Sequence, residues 1–419
     1  MPRPLSLDVF FNDELAGTVH DTSPLSFDYS KGWLGRAQPM SLAAIALSED
    51  TQSATTVEAF FENLLPEGEL RSYIAEQKKA STLFSLLLET AGDTAGSFVL
   101  LPSGMRPEPP AYRQTSWAEL GTLLTQRSIA ALDLHSKGAR ISLAGAQDKA
   151  SVAIFGNGEP MLPQGTSPST HVLKPDIKRL AKVWESAANE AIVMAAAARC
   201  GLPTAEVFYE PRTRSCVVRR FDRFEREDGH LGRLIQYDLC QLSSTASEKK
   251  YEKEGGPGLA QCAALIRKFS SQPALDLRNF LGWIFFNLYT GNNDSHAKNL
   301  SIYYTPQAGV RLTPFYDLMC TRLYPGLSQE FAFSIGGEVM PDQVGRAHVI
   351  AMARQLGMQP QFVLRTARSI AQRLPQALAS AVGDLSPSFT PGAKVLGERL
   401  AHKILSTTKQ TSARIFTPA

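Results

Sequence analysis

An aspartate and an asparagine five positions apart, Asp294 and Asn299, stand in the polar stretch TGNNDSHAKN, between the apolar run NFLGWIFFNLY and the strand-like LSIYY. In phosphoryl transfer a carboxylate at such a position accepts or orients the proton of an acceptor hydroxyl, and an amide oxygen five residues on holds a divalent cation. The same letters also read as an Asx-type turn with no chemistry. A third oxygen donor shifts the weight. Asp317 closes the stretch TPFYD, 23 residues after Asp294, behind the second strand-like segment GVRL. Separated by a single hairpin, Asp294, Asn299 and Asp317 converge on one metal–phosphate site, with Asn299 and Asp317 as the metal ligands.

Upstream residues could supply the nucleotide side. The run ISLAGAQDK sets the small residues Ala144, Gly145 and Ala146, followed by Gln147, between two strand-like segments, and Lys149 ends it. Backbone N–H groups in such a turn can approach phosphate oxygens closely. The run is neither a Walker A motif nor GxGxxG, and a plain hairpin turn would use the same residues. Lys174 ends the strand-like HVLK, 25 residues after Lys149, where it could reach nucleotide phosphates. Glu190, in the alanine-rich run that follows, needs a partner if buried, and Lys174 is the obvious one.

The elements that must position these residues change character along the chain. LSLDVFFND and ELAGTVHD read as a hairpin turned at Asn12-Asp13, with FDYSKGWL and SLAAIAL as further short strands. From Val57 to Gly92 the spacing is helical, with Ser81 as an N-cap for the last helix. GSFVLLPSG closes this small α/β module, and the proline-rich Pro102–Pro110 reads as a linker. Ser116 to Leu239 is mixed, with a helix over WAELGTLLTQRS, a strand–turn–strand over ISLAGAQDKASVAIF, a long helix over Val183–Cys200 stopped by Gly201 and Pro203, and strands over EVFYE and SCVVRRFDRF. From Gln241 onward apolar residues recur at three- to four-residue intervals, which predicts a helical second half.

Composition narrows the class. The chain has 419 residues, 43% hydrophobic and 20% charged, with a formal net charge of +3. That is ordinary globular usage, and the basic residues are spread rather than massed, so charge by itself does not call for nucleic acid. Five cysteines without CxxC spacing suit a reducing compartment and offer no zinc site. The N-terminus MPRPLSLDVFFNDE lacks the apolar core of a signal peptide, and no run of 18 apolar residues occurs. The expectation is a soluble cytoplasmic protein with no membrane association.

Eight stretches carry a family resemblance. ISLAGAQDK, HVLKPD, the Asn-Glu pair of the alanine-rich helix, RRFDR, IQYDLCQ, GGPG, NNDSHAKN and TPFYD resemble, in this order, the signatures of HipA-type serine/threonine protein kinases, the toxins of bacterial toxin–antitoxin pairs. FENLLPEG and the segment to AGSFVLL resemble the family's N-terminal module. The resemblance implies an α+β, two-lobed protein-kinase-like fold, with a mixed α/β N-lobe, an all-helical C-lobe and a small N-terminal α/β subdomain. The corresponding boundaries are 1–105, 116–240 and 241–419. It implies ATP and Mg²⁺ as cofactors, with Asp294 as catalytic base and Lys174 on the nucleotide phosphates. His296, Lys298 and Tyr316 would lie near the nucleotide, and the hinge Gln236-Tyr237-Asp238 would hold adenine through backbone groups. Ser142 corresponds to the autophosphorylated serine; a phosphate there adds about −1.5 to −2 charges beside the loop that receives the triphosphate, a physical route to self-inactivation. Two positions depart from the pattern: Tyr237 stands where the family often has an acid, and Ser295 precedes the histidine. Further implied are a HipB-like helix-turn-helix antitoxin dimer, operator DNA reached through it, and a protein substrate in translation, notably an aminoacyl-tRNA synthetase. Two other readings are a catalytically silent co-repressor of the antitoxin–operator complex and a small-molecule or lipid kinase.

Overall fold

The structure, a computed structural model, describes residues 5–90, 92–94, 96–126, 141–142 and 149–417. The chain divides into two compact units, one of Met1–Leu173 with Arg220–Glu248, the other of Lys174–Arg219 with Lys249–Ala419. The fold class is the expected α+β. Among the described residues no helix is long and apolar enough to cross a membrane.

The first unit opens on a five-stranded sheet in the order Gln52–Ser53, Ser26–Tyr29, Glu14–His20, Ser6–Phe11, Phe98–Pro102. Every neighbour is antiparallel. Alternation places Leu7, Val9, Val19 and Phe27 inward, fully buried, and the helices Thr55–Glu62 and Leu83–Thr90 supply Phe60, Phe61, Phe84 and Leu87 to that core. The hairpin turns at Asn12-Asp13 as expected, with Asn12 in the left-handed region at φ 52°, which asparagine tolerates. Two local expectations fail. SLAAIAL is no strand: Ala43 takes φ 52°, and a turn closes between Leu42 and Ile45, because the short apolar run is buried by its neighbours rather than by a ladder. The N-cap of Leu83–Thr90 is not Ser81; the Thr82 hydroxyl accepts the Ser85 N–H at 3.1 Å, and the Ser85 hydroxyl accepts the Thr82 N–H at 2.8 Å.

A second antiparallel set follows in this unit, running Ala111–Gln114, Pro160–Gln164, Ala150–Ile154 and residues 171–173, the first part of the strand His171–Pro175. Beside it lies a buried ionic cluster that explains the RRFDR motif. Asp93 accepts from Arg223 at 2.7 Å, from Arg220 at 3.3 Å, from Arg233 at 3.4 Å and from the Ser169 hydroxyl at 2.6 Å. Asp222 pairs with Arg220 and Arg223 at 2.8 and 2.9 Å and accepts the Gly96 N–H at 3.0 Å. The arginines also satisfy the carbonyls of Thr94, Gly96 and Thr166, so the cluster fastens three stretches of backbone together. Burial favours the neutral form of Asp93, but the surrounding guanidiniums outweigh it and hold its carboxyl far below the ordinary range. Arg233, buried among like charges, is pushed down to about 10. Thr94, one residue on from Asp93, pairs in parallel with the backbone of Ser142.

In the second unit the helix Ser186–Arg199 replaces the predicted Val183–Cys200, and Gly201 ends it at φ 79°. The hairpins Val207–Glu210/Ser215–Arg219 and Ser301–Thr305/Gly309–Leu312 accompany the helices Leu259–Phe269, Pro273–Thr290, Arg346–Gln355, Pro360–Leu385 and Pro391–Phe416. Phe280, Trp283, Phe285 and Phe286 of the Pro273–Thr290 helix are fully buried. All five cysteines are free and buried.

Asp93→Asn should lower the unfolding free energy by about 3 kcal/mol, because it leaves a cluster of buried guanidiniums with one carboxylate. Urea denaturation at pH 7 reads the difference. The sign with pH follows from the depressed carboxyl: its contribution is full above the ordinary value of 3.8 and fades as pH falls below it, so wild type and variant converge in acid.

Candidate active site

The second unit gathers the chemistry-bearing residues around a buried ammonium. Lys174 reaches the Glu190 carboxylate at 2.6 Å and the Asp317 carboxylate at 2.7 Å. The Lys174 and Glu190 side chains are 9% and 2% exposed, whereas that of Asp317 is 39% exposed. Burial disfavours the Lys174 charge, but Asp317 and then Glu190 more than offset it, and the ammonium is held charged well above its ordinary range. The pairing with Glu190 is the one the sequence suggested; the simultaneous pairing with Asp317 is new. Of the two carboxylates around this cation, that of Asp317 is the one that meets solvent.

Asp317 is delivered there by the residues around it. Phe315 is buried, stacks on Trp283 with centroids 6.0 Å apart, and is laced to the 203–205 backbone by hydrogen bonds of 2.8 and 2.9 Å. Asp317 itself takes φ 59°, a left-handed conformation open to aspartate and closed to bulky residues. Beyond it, Asn189 clamps the chain. Its amide donates to the Cys320 carbonyl at 3.1 Å and to the Tyr324 hydroxyl at 3.0 Å, and its oxygen accepts the Cys320 N–H at 2.9 Å. Sequence reading quoted the Asn-Glu pair without giving Asn189 a task. An asparagine in an alanine-rich, largely buried helix was the available signal, since such a residue must be satisfied.

The loop after Pro273–Thr290 turns at Gly291, φ 73°, where the Arg322 side chain packs so close that a Cβ would crowd it at 3.2 Å. Asn292 caps back onto Asn287 at 2.9 Å, the Asn293 N–H donates to the Thr321 hydroxyl at 2.8 Å, and the Asn299 amide donates to the Asp294 carbonyl at 3.1 Å. Asp294 and Asn299 therefore belong to one closed turn, with Asp294 exposed and Asn299 buried. His296 and Lys298 are buried in the same turn, and the Tyr316 hydroxyl pairs with Ser301 at 2.7 Å and donates to the Lys298 carbonyl at 3.2 Å. Tyr251, unmentioned by sequence reading, donates its phenol to the Asp294 carboxylate and sets its ring edge-on to His296 at 5.1 Å.

The remaining predicted residues lie in the first unit. Ala144, Gly145, Ala146 and Gln147 fall outside the described residues; Lys149 is half-buried, and Ser142 is described by its backbone pairing with Thr94. Gln236, Tyr237 and Asp238 form a short strand. Tyr237 is buried, donates to the Ser41 carbonyl at 2.9 Å and packs on Phe60 and Phe98, so its side chain is committed to the N-terminal module. Asp238 caps the following helical turn through a reciprocal pairing with Gln241. The Asn63 amide of FENLLP reaches the Thr245 carbonyl at 2.9 Å. Gln241 of IQYDLCQ donates to the carbonyl of Phe60, the residue before FENLLP, at 3.3 Å.

The donors fit a hard cation. Asp317 presents a part-exposed carboxylate, and Asn299, whose amide nitrogen is occupied by the Asp294 carbonyl, has an amide oxygen as a donor. Among the described residues no group of three or more His, Cys, Asp and Glu side chains is placed to hold a metal ion.

With this geometry in place, comparison with known proteins identifies the kind of molecule. The HipA N-terminal domain model matches residues 7–101, and the HipA-like C-terminal domain model matches residues 141–378. The chain belongs to the HipA family. It is 33% identical to Y4mE of Sinorhizobium fredii, over 93% of this chain and 94% of that one. It is 29% identical to the serine/threonine-protein kinase toxin HipA of Shewanella oneidensis, over 92% and 91%. The solved complex of Shewanella oneidensis HipA, HipB and operator DNA superposes with a TM-score of 0.82 at 26% identity, covering 96% of each chain.

Asn189→Ala removes the acceptor of the buried Cys320 N–H and the closer donor to the Cys320 carbonyl, which keeps the Leu323 N–H at 3.4 Å. It is expected to cost about 2–3 kcal/mol, at about 1–3 kcal/mol per unsatisfied buried group after partial relaxation. A fall in the thermal midpoint checks it, with Asn189→Asp no milder than Asn189→Ala, because a carboxylate keeps the Cys320 N–H bond but sets a buried anion against the Cys320 carbonyl.

Proposed function

We propose that this chain is a toxin serine/threonine protein kinase that transfers the ATP γ-phosphate to a protein hydroxyl. The observation that carries the reading is the Lys174–Glu190–Asp317 arrangement, in the same compact unit as the Asp294–Asn299 turn. Membership of the HipA family supports it, as does the name of the Shewanella oneidensis relative.

Asp294, exposed at the tip of its turn, orients the acceptor hydroxyl and takes its proton. Lys174, fixed by Glu190, presents a charge that cannot be lost at physiological pH, and stabilises negative charge developing on the transferred phosphoryl group. Magnesium, when bound, supplies charge neutralisation across the phosphates, and Asn299 and Asp317 are the residues that would hold it. The protein's contribution is placement: a closed turn for Asp294 and a packed Phe315 anchor for Asp317. Ala144–Gln147 and Lys149 would face the triphosphate, His296, Lys298 and Tyr316 would line the nucleotide, and the 236–238 backbone would hold adenine. Ser142 is the proposed self-phosphorylation site, and a dianion there would expel the nucleotide loop. The proposed partner is a HipB-like helix-turn-helix antitoxin, with operator DNA reached through it, and the proposed substrate a protein of the translation apparatus, such as an aminoacyl-tRNA synthetase, in the cytoplasm.

Incubation of dephosphorylated protein with ATP and Mg²⁺, followed by peptide mass spectrometry, tests the reading. Wild type should gain a phosphate at Ser142, and Asp294→Asn should slow labelling by about 10²–10⁴-fold, the usual worth of a general base, with nucleotide affinity nearly intact. Asp317→Asn should weaken both labelling and the magnesium dependence of nucleotide binding. Failure of wild type to label itself or any protein, or a large loss of ATP affinity in Asp294→Asn, would overturn the assignment.

A further inference from the structure

We propose that Thr321 is a positioning residue that fixes the turn of Asp294 to the segment of Asp317, an inference that rests on the kinase reading above. Transfer needs the residue that takes the acceptor proton and the residue that holds the metal at a set separation. Thr321 lies four residues after Asp317 and is buried. Its Oγ1 accepts the Asn293 N–H at 2.8 Å and donates to the Gly291 carbonyl at 3.2 Å. One hydroxyl thus brackets Asn292, and the backbone it grips ends one residue before Asp294. A misplacement of about 1 Å at a reacting group can cost about 10²-fold in rate, so one hydrogen bond at this position is enough to matter.

Both sides of this link are themselves held. On the turn side, the Gly291 and Asn292 N–H groups donate to the Asn287 carbonyl at 2.9 and 3.0 Å, which fixes the turn to the end of the Pro273–Thr290 helix. On the other side, Asn189 grips Cys320 by its N–H and its carbonyl, and Asn189 adjoins Glu190 on the Ser186–Arg199 helix. A chain of contacts therefore runs from Asp317 through Lys174 to Glu190, and by Asn189, Cys320 and Thr321 to the residue before Asp294. Beyond Asp294 the turn has a second fastening, where the Tyr316 hydroxyl donates to the Lys298 carbonyl at 3.2 Å. The segment that carries Asp317 thus spans the Asp294 turn, with Tyr316 behind it and Thr321 in front. The Asn293 amide adds a contact to the Ser328 carbonyl at 2.9 Å, but that holds its side chain, whereas Thr321 holds its backbone. Without the Thr321 hydroxyl the rear fastening becomes a pivot. The Gly291 carbonyl keeps the Arg322 N–H at 3.1 Å, so the loss falls on the backbone of Asn293, a buried residue beside Asp294.

Thr321→Val removes the hydroxyl and keeps the shape of the side chain, whereas Thr321→Ser keeps the hydroxyl. In the full chain with ATP and Mg²⁺, below the thermal midpoint of every variant, Thr321→Val should label Ser142 about 10- to 100-fold more slowly than wild type. Thr321→Ser should label near the wild-type rate, and all three proteins should bind ATP–Mg²⁺ with the same Kd and stoichiometry. A merely structural loss would instead lower binding stoichiometry and labelling in step. Three outcomes overturn the proposal: a wild-type rate in Thr321→Val, a joint fall of labelling and stoichiometry, and a Thr321→Ser as slow as Thr321→Val. A second measurement needs no turnover. Amide hydrogen exchange over residues 291–294 should speed up about 10-fold in Thr321→Val, the worth of one hydrogen bond, while the Ser186–Arg199 helix keeps its wild-type protection. Equal exchange in wild type and Thr321→Val sinks the positioning role even in a protein that transfers no phosphate. A wild type that labels nothing, with the local change in exchange present, overturns the kinase reading alone.

Discussion

The buried ammonium of Lys174 sets the terms for the site. A charge with 9% exposure must be matched or lost, and the two carboxylates that match it come from a helix 16 residues later and a loop 143 residues later. The strand end, the Ser186–Arg199 helix and the TPFYD segment cannot drift apart without stranding a charge in a dry setting, a far larger penalty than the loss of a surface pair. The more exposed of the two carboxylates, that of Asp317, carries this constraint to the solvent-facing side of the site.

The second buried ionic cluster, around Asp93, works differently. Its guanidiniums are spent on carboxylates and on backbone carbonyls of two stretches distant in sequence, 94–96 and 166, so the charge is converted into tertiary connections. It lies one residue from the backbone that pairs with Ser142, and its rigidity bears on where that serine's chain runs.

Much of this was legible in the sequence, for physical reasons that can be named. Asp294, Asn299 and Asp317 stood out because polar residues at fixed spacing between apolar elements need a purpose, and the Lys174–Glu190 pair because a carboxylate in an alanine-rich helix needs a partner. The hairpin at Asn12-Asp13 and the helices from Val57 onward followed from alternation and period. What stayed hidden depends on contacts between distant residues. RRFDR could be recognised as a string, but its partner Asp93 lies 127 residues before Arg220, and nothing local points to it. Tyr251 sits in a charged loop, where a tyrosine has no periodic signature, and its contacts with Asp294 and His296 join residues more than 40 positions apart. SLAAIAL misled because a short apolar run is equally at home in a strand or a buried turn.

The cysteines turn the molecule into its own gauge of opening. Every thiol is buried, and burial raises those of Cys200 to about 11 and Cys320 to about 12, so neither accessibility nor ionisation favours reagent attack on the closed form. Cys240 belongs to the first unit; Cys200, Cys216, Cys262 and Cys320 belong to the second. A thiol-specific label therefore reads exposure one unit at a time, and the order in which the five sites are modified ranks the two units by how often each comes apart.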